Sequence, residues 1–421
     1  MNFMTPSMQT IRRSAIVALA VAVTAGCASS TEVRRVDTAP AKQSPKPIDE
    51  AHLLDVGILH FQANIPEDFD EQVEENILPD IRRAEAYFLA YQQKLVLEGT
   101  GNWGAVRVLP KHSNAVDVHL QGSINTSNGE RLSVHAKVSD ATGRTWLDKE
   151  YEALTSRYSY GTAQGSQVDP YHTVFRKIAD DMLEAMLALR NDQLERIKIA
   201  GELRFARDFS SEGFGDNIEF RRDGQVTIKR LPANDDPLLE RVRAIREKEY
   251  LFIDTLDEYY AEFNVQMSQP YYEWRRESFE EVYRQRELER QALAELLVGA
   301  AAVAGGIAAQ TGDSRATRAA GAASVYGGAQ LIKSALDKRA AAKIHSEILA
   351  ELGESAGESI APHAIDLENR TIALSGNVEA QYDVFRDALR RLYFEEMGLV
   401  LPEDEDAPES QDTSADQPLA G

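Results

Sequence analysis

The chain has 421 residues, with 46 basic and 68 acidic side chains, a formal net charge of −22 and a single cysteine. That acidity argues against nucleic acid as a partner, because neutralising phosphates needs clustered Lys and Arg. It equally excludes adhesion to an anionic membrane by charge alone, and one cysteine excludes intrachain disulfides and cysteine-based zinc sites.

The first 27 residues read as an export signal. Arg12 and Arg13 precede the apolar run 15–23, and small residues lead to Cys27. A charged n-region, a short h-region and a small-residue cleavage site define such a signal, and the apolar run is too short to span a bilayer. Its end, Thr24-Ala25-Gly26-Cys27, resembles a bacterial lipobox, with Thr24 where leucine is usual. The resemblance implies that Cys27 is acylated and becomes the first residue of the mature chain. Acyl chains would anchor the protein in the outer membrane. Ala28, in place of the aspartate that marks inner-membrane retention in bacterial lipoproteins, implies the outer membrane, with the protein facing the periplasm. An ordinary secretory signal containing a cysteine is the alternative. Without residues 1–27, which hold two basic and no acidic residues, the chain carries 44 basic against 68 acidic residues, or −24.

Residues 28–50 have three prolines and little apolar content, so they read as a flexible tether. A first α/β domain is expected over 51–190. Residues 56–61 suit a buried strand, and Asp80 is expected to cap a helix carrying Ile81, Ala84, Phe88, Tyr91 and Leu95, stopped by Gly99 and Gly101. Residues 103–109, 116–124, 132–138 and 145–151 read as strands, with turns at 126–129 and 140–143. A helix follows from about Tyr171 past Leu189.

The pieces VGILHF, WGAVRVLP, VDVHLQGSI and LSVHAKVSDATGRTW, in that order, resemble the small α/β domain of the curli-secretion, Tol-type and penicillin-binding-protein-activator envelope lipoproteins. The likeness covers about a quarter of the chain. Its motifs are structural, so it implies a fold and an envelope setting rather than an activity.

Residues 191–295 are charged, tyrosine-rich and helical, with a small hairpin at 221–225, a long helix from Asp236-Pro237 and an interruption at Pro270. Tyr259, Tyr260, Tyr271, Tyr272 and Trp274 form either a partner-binding face or packing between helices. Residues 296–352 are expected to form an Ala/Gly-rich helical hairpin and a following helix. Small residues recur every fourth position, Ala301, Gly305, Ala309 in one arm and Ala320, Ser324, Gly328 in the other, letting helix backbones approach closely. Packing within one chain, insertion into lipid and an oligomer interface all fit the hairpin. A strand–strand–helix unit is expected over 353–401, and an acidic tail without fixed structure over 402–421.

No catalytic motif is present. His112, His119 and His135 are expected on a solvated strand face. The carboxylates of Glu67, Asp68, Asp70, Glu71, Glu74 and Glu75 read as a solvated loop or a calcium- or partner-binding one. The class is therefore α+β, with no cofactor and no metal expected. The role is a non-enzymatic binding or scaffolding accessory in envelope assembly, secretion or cell-wall maintenance, with an envelope protein as partner. An oligomeric pore-forming or membrane-remodelling lipoprotein using the hairpin is the alternative, and a periplasmic carbohydrate-active enzyme the third reading.

Overall fold

The structure is a computed structural model that describes residues 37–75, 77–160, 169–233, 235–310 and 378–398. The class is α+β: a five-stranded sheet in the N-terminal region and a helical region after it. The strands are β1 (Val56–Leu59), β2 (Val106–Leu109), β3 (Val118–Ser127), β4 (Arg131–Asp140) and β5 (Thr145–Leu154). They lie in the order β2-β1-β3-β4-β5, with β1 parallel to both neighbours and β3 to β5 an antiparallel meander.

The meander alternates as a half-buried sheet must. Val118, Leu120, Ile124, Leu132, Val134, Ala136 and Val138 are buried on one face. The other face carries exposed polar groups, including the His135–Asp148 pair at 2.9 Å. A bulge after Ile124 shifts the β3 register by one residue, which turns the Ser127 hydroxyl towards the core. Gly122 is held to glycine by a close approach, since a Cβ there would stand 2.6 Å from the Phe61 ring.

After the short helix α1 (Phe69–Glu74), α2 (Pro79–Thr100) crosses the core face, followed later by α3 (His172–Leu187). Pro79 opens α2 in the first-turn position where its missing N–H costs nothing. Asp80 therefore lies inside the helix and is not its cap. Gly101, at φ 64°, closes it in the left-handed conformation. Next come α4 (Asn191–Phe209), α5 (Ser211–Phe214), a two-stranded hairpin of β6 (Ile218–Phe220) and β7 (Val226–Ile228), α6 (Pro237–Gln310) and α7 (Val378–Glu396).

Helix α6 has 74 residues, about 110 Å of helix at 1.5 Å per residue. It continues through Pro270, where the sequence led us to expect a break. Met267, Tyr271 and Trp274 are buried on either side of the proline. Packing of both flanks against the body outweighs the lost helical hydrogen bond. The first arm of the expected Ala/Gly hairpin is the end of this same helix, so Ala301, Gly305 and Ala309 lie along its last turns. The second arm, with Ala320, Ser324 and Gly328, lies outside the described residues, as do the strands expected before α7 and the tail over 402–421.

The boundary expected at 190/191 falls inside a packed core. One contiguous apolar cluster joins residues of the sheet, α2 and α3 to Leu194, Ile197 and Ala200 of α4, to Phe252, Ile253, Leu256, Tyr260 and Trp274 of α6, and to Tyr382 of α7. A second cluster joins Phe205, Phe209, Phe214, Leu239 and Ile245 to Leu389 and Tyr393, so α7 is bound into the body.

Residues 37–50 also depart from expectation. The Lys42 amide donates to Asp180 at 2.7 Å, the Ser44 amide donates to Asn102 at 2.8 Å, and the Asn102 amide side chain donates to the Lys42 carbonyl at 2.9 Å. Arg176 pairs with Asp37 at 2.7 Å. Low apolar content does not leave this stretch free, because its backbone hydrogen bonds are made to side chains of the folded body.

Candidate functional site

The charged groups that the fold draws inward lie along the seam between α6 and the sheet domain. At one end of the sheet, Arg82 and Glu85 of α2 point into the core, because they share a helix face with Ile81 and Phe88. Arg82 Nε donates to Glu85 Oε2 at 3.1 Å, and the hydroxyls of Ser127 and Tyr271 both donate to Glu85 Oε1 at 2.5 Å. Burial pushes the Glu85 carboxyl above its ordinary value despite Arg82 and the two hydroxyls.

Beside it Arg275, 2% exposed, forks onto Asp169 through Nη1 at 2.9 Å and Nη2 at 2.7 Å. Its guanidinium lies over the Tyr271 ring at 4.2 Å and the Tyr171 ring at 4.9 Å. Burial opposes the charge on Asp169, but Arg275 prevails and holds the carboxyl below its ordinary range. The β3–β4 turn closes this end. Gly129 has φ 77°, and a Cβ there would stand 2.3 Å from the Arg275 carbonyl oxygen. Tyr160 and Thr155 donate to its carbonyl at 2.5 and 2.8 Å.

At the other end, Asp117 accepts from the Asp55 amide at 3.0 Å, and its nearest cation, Arg246, is 4.0 Å away. Burial raises the Asp117 carboxyl to about 6. Tyr250 lies between Arg107 at 4.3 Å and Arg246 at 5.4 Å, and its hydroxyl donates to the Ala115 carbonyl. Nearby, Glu249 of α6 is fully buried and accepts from Ser113 and from Tyr382 of α7. His112 and His119 stack at 4.1 Å. His119 is 3% exposed rather than solvated as expected, and its Nε2 meets the Ser113 carbonyl at 2.7 Å, which requires the proton on Nε2. Burial and His112 lower the His119 imidazole to about 3, so it is neutral near pH 7.

The tyrosine-rich group divides the same way. Tyr260 bonds His60 at 2.7 Å and is buried. Tyr271 and Trp274 are buried and stack at 5.6 Å. Tyr272 is half-buried beside Tyr160 at 5.7 Å. Packing therefore claims Tyr260, Tyr271 and Trp274, Tyr272 is half-buried, and the Tyr259 side chain lies outside the described residues. Cys27 and Ala28 lie outside them as well.

The acidic stretch expected as a loop runs into α1, which holds Asp70, Glu71 and Glu74, and it is exposed at Glu67, Asp68, Asp70, Glu71 and Glu75. Among the described residues no group of three or more His, Cys, Asp or Glu is placed to hold a metal ion, and no helix is long and apolar enough to cross a membrane.

Sequence reading missed Glu85, Arg275, Asp169 and Glu249. The available signal was a charge standing inside an apolar stripe: Glu85 among Ile81, Tyr87 and Phe88, and Arg275 directly after Tyr271 and Trp274. Chemically the seam is a clasp. Its carboxylates, guanidinium groups and phenols are buried or half-buried and bond one another and the backbone, which fastens α6 to the sheet domain. No protein-family model, curated protein or solved structure matches this chain.

Proposed function

We propose that this chain is a lipid-anchored, periplasm-facing lipoprotein of the outer membrane that acts by binding and scaffolding, without catalysis, in envelope assembly, secretion or cell-wall maintenance. The observation that carries this reading is the export signal ending in Thr24-Ala25-Gly26-Cys27, followed by Ala28. The clasp supports it. Charged groups of the kind an active site would use are committed to one another inside the body, and Glu85, Arg275 and Glu249 are each 2% exposed or less. The test is Cys27→Ser with radiolabelled palmitate in intact cells. Wild type takes up label and fractionates with the outer membrane, and the variant does neither. Label persisting in the variant sinks the proposal.

A second reading is favoured by one feature. Helix α6 runs without interruption into the uncharged residues 296–309, so that segment is presented on a long rigid arm. An oligomer built on that arm would form a large particle in mild detergent, whereas the accessory is a monomer.

A further inference from the structure

Three features that are far apart in sequence leave the body at the same end. The first end of the sheet, here called the turn end, is marked by the β3–β4 turn at Gly129, by the start of α2 at Arg82 and by the start of α3 at Tyr171. Arg82 reaches the Ser127 carbonyl at 3.4 Å, and Arg275 joins the turn, Tyr171 and Asp169. The opposite end carries the β4–β5 turn at Gly143, against which the β6–β7 hairpin packs through Val226 and Thr142 at 2.8 Å.

The N-terminal segment runs along α3. Lys42 meets Asp180 at 2.7 Å, Ala39 meets His172 at 3.3 Å, and Asp37 meets Arg176 at 2.7 Å. Traced backwards, it passes from Asp180 to the first two turns of α3, with Ala39 at His172 and Asp37 at Arg176, so its described end lies beside the turn end. Helix α6 travels the same way, from Tyr250 near Asp55 at the hairpin end to Arg286, which pairs with Glu130 beside the β3–β4 turn.

We propose that the turn end of the body faces the lipid surface in which Cys27 is anchored. This rests on the lipid-anchor reading above. Ten residue steps separate Cys27 from Asp37, and ten fully extended steps span at most about 36 Å. The docked segment 37–48 contributes no slack, because it is hydrogen-bonded along α3 and to Asn102. The hairpin end lies a further sheet length away, about 33 Å for the ten residues of β3.

Twenty-four residues of α6 follow Arg286, and at 1.5 Å each they extend about 36 Å. At full stretch the tether reaches as far as the helix extends, and the arm carrying residues 296–309 points towards the same surface. The acidic stretch with Asp68 and, in α1, Asp70 and Glu71 also belongs to this end, because it joins β1 to the start of α2. Its repulsion from an anionic surface fades beyond a Debye length of about 8–10 Å.

The experiment measures resonance energy transfer from a fluorophore on the full acylated chain to acceptor-labelled headgroups in phosphatidylethanolamine vesicles. With Cys27 acylated, an introduced cysteine is the sole free thiol. Tyr158→Cys marks the turn end, since Tyr158 is 62% exposed and adjoins the Tyr160 that bonds Gly129. Arg222→Cys marks the exposed hairpin tip. Phe69→Cys, at a side chain 71% exposed, and Arg221→Cys form a second pair should either first variant misfold.

Because the two ends are about 33 Å apart, transfer from position 158 is expected to exceed that from 222 at least about twofold. Equal transfer, or more from 222, on vesicle-bound protein overturns the orientation and leaves the anchor intact. Protein that neither binds vesicles nor incorporates palmitate overturns the anchor, and the orientation with it.

Discussion

The two ends of the α6 seam hold carboxylates against the body with opposite outcomes. At the turn end Asp169 meets the guanidinium fork of Arg275 at 2.7 and 2.9 Å, and its carboxyl stays below the ordinary range. At the hairpin end Asp117 finds its nearest guanidinium at 4.0 Å and accepts one backbone hydrogen bond, and its carboxyl rises to about 6. Burial acts on both. Direct bidentate pairing decides whether the charge survives it. Glu85 lies between these cases: Arg82 touches it through one nitrogen at 3.1 Å, and burial prevails.

The largest expected effect comes from removing the fork. Arg275→Met leaves Asp169 and Glu85 without that cation and should cost roughly 3–5 kcal/mol in urea unfolding, as breaking a buried pair does. Arg275→Lys restores the charge without the fork and should recover only part of it. A loss below about 1 kcal/mol for Arg275→Met would break the comparison, because the pair would then contribute no more than an exposed one.

Next is Asp117→Asn. A carboxyl raised to about 6 in the folded state, against 3.8, takes up its proton on folding at mildly acid pH. Its penalty is therefore present above about pH 6 and is relieved as pH falls towards 4. Asparagine carries no such penalty at any pH. The stability difference, variant minus wild type, should be greatest near pH 7. It should fall by about 1.4 kcal/mol per pH unit between pH 6 and 4, roughly 3 kcal/mol in all, and be flat outside that window. A difference independent of pH would show that Asp117 is charged throughout.

His119 has the opposite sign. Its imidazole is lowered to about 3 from 6.5, so the unfolded chain binds that proton first, and stability falls as pH drops from about 6.5 towards 3. In wild type the two slopes oppose each other between pH 6 and 4. His119→Gln should remove the acid-side loss, leaving a stability that rises, relative to wild type, as pH falls through 6.

Between the two knots lies Pro270. Because both flanks are gripped and the helix continues through it, Pro270→Ala should restore a helical hydrogen bond and stabilise the protein by about 1–3 kcal/mol in thermal unfolding. Destabilisation would mean that the seam needs a local bend there. The smallest effect is expected from Lys111→Ala. It deletes an exposed ion pair to Asp383 of α7 and should cost no more than about 0.5 kcal/mol. A larger loss would show that surface charge, and not the buried Glu249, holds α7 in place.

Periodicity made most individual elements legible in the sequence. The alternation through 118–138, the apolar stripe of α2 and the turn glycines at 129, 143 and 224 act within a few residues, and β3, β4, β5, α2, α3 and α4 stand where those signals put them. The clasp was not legible. Arg275 and Asp169 are 106 positions apart, and Tyr271 and Glu85 are 186 apart. Nothing in the spacing of either partner announces the other. A charge in an apolar stripe shows only that some counter-group must exist.

What the sequence determined by itself is local: the strand and helix periods, and the turns that need a positive φ. Tertiary structure decided the rest. It kept α6 continuous through Pro270, docked residues 37–42 on α3, buried His119, Tyr260 and Tyr271, and joined residues on both sides of the expected 190/191 boundary in one core. The physical reason is the same in each case. Backbone propensity sets preferences of up to about 1 kcal/mol for ordinary residues and about 3 kcal/mol for proline, and the burial of whole helix faces against a sheet exceeds them only once partners distant in the chain have been brought together.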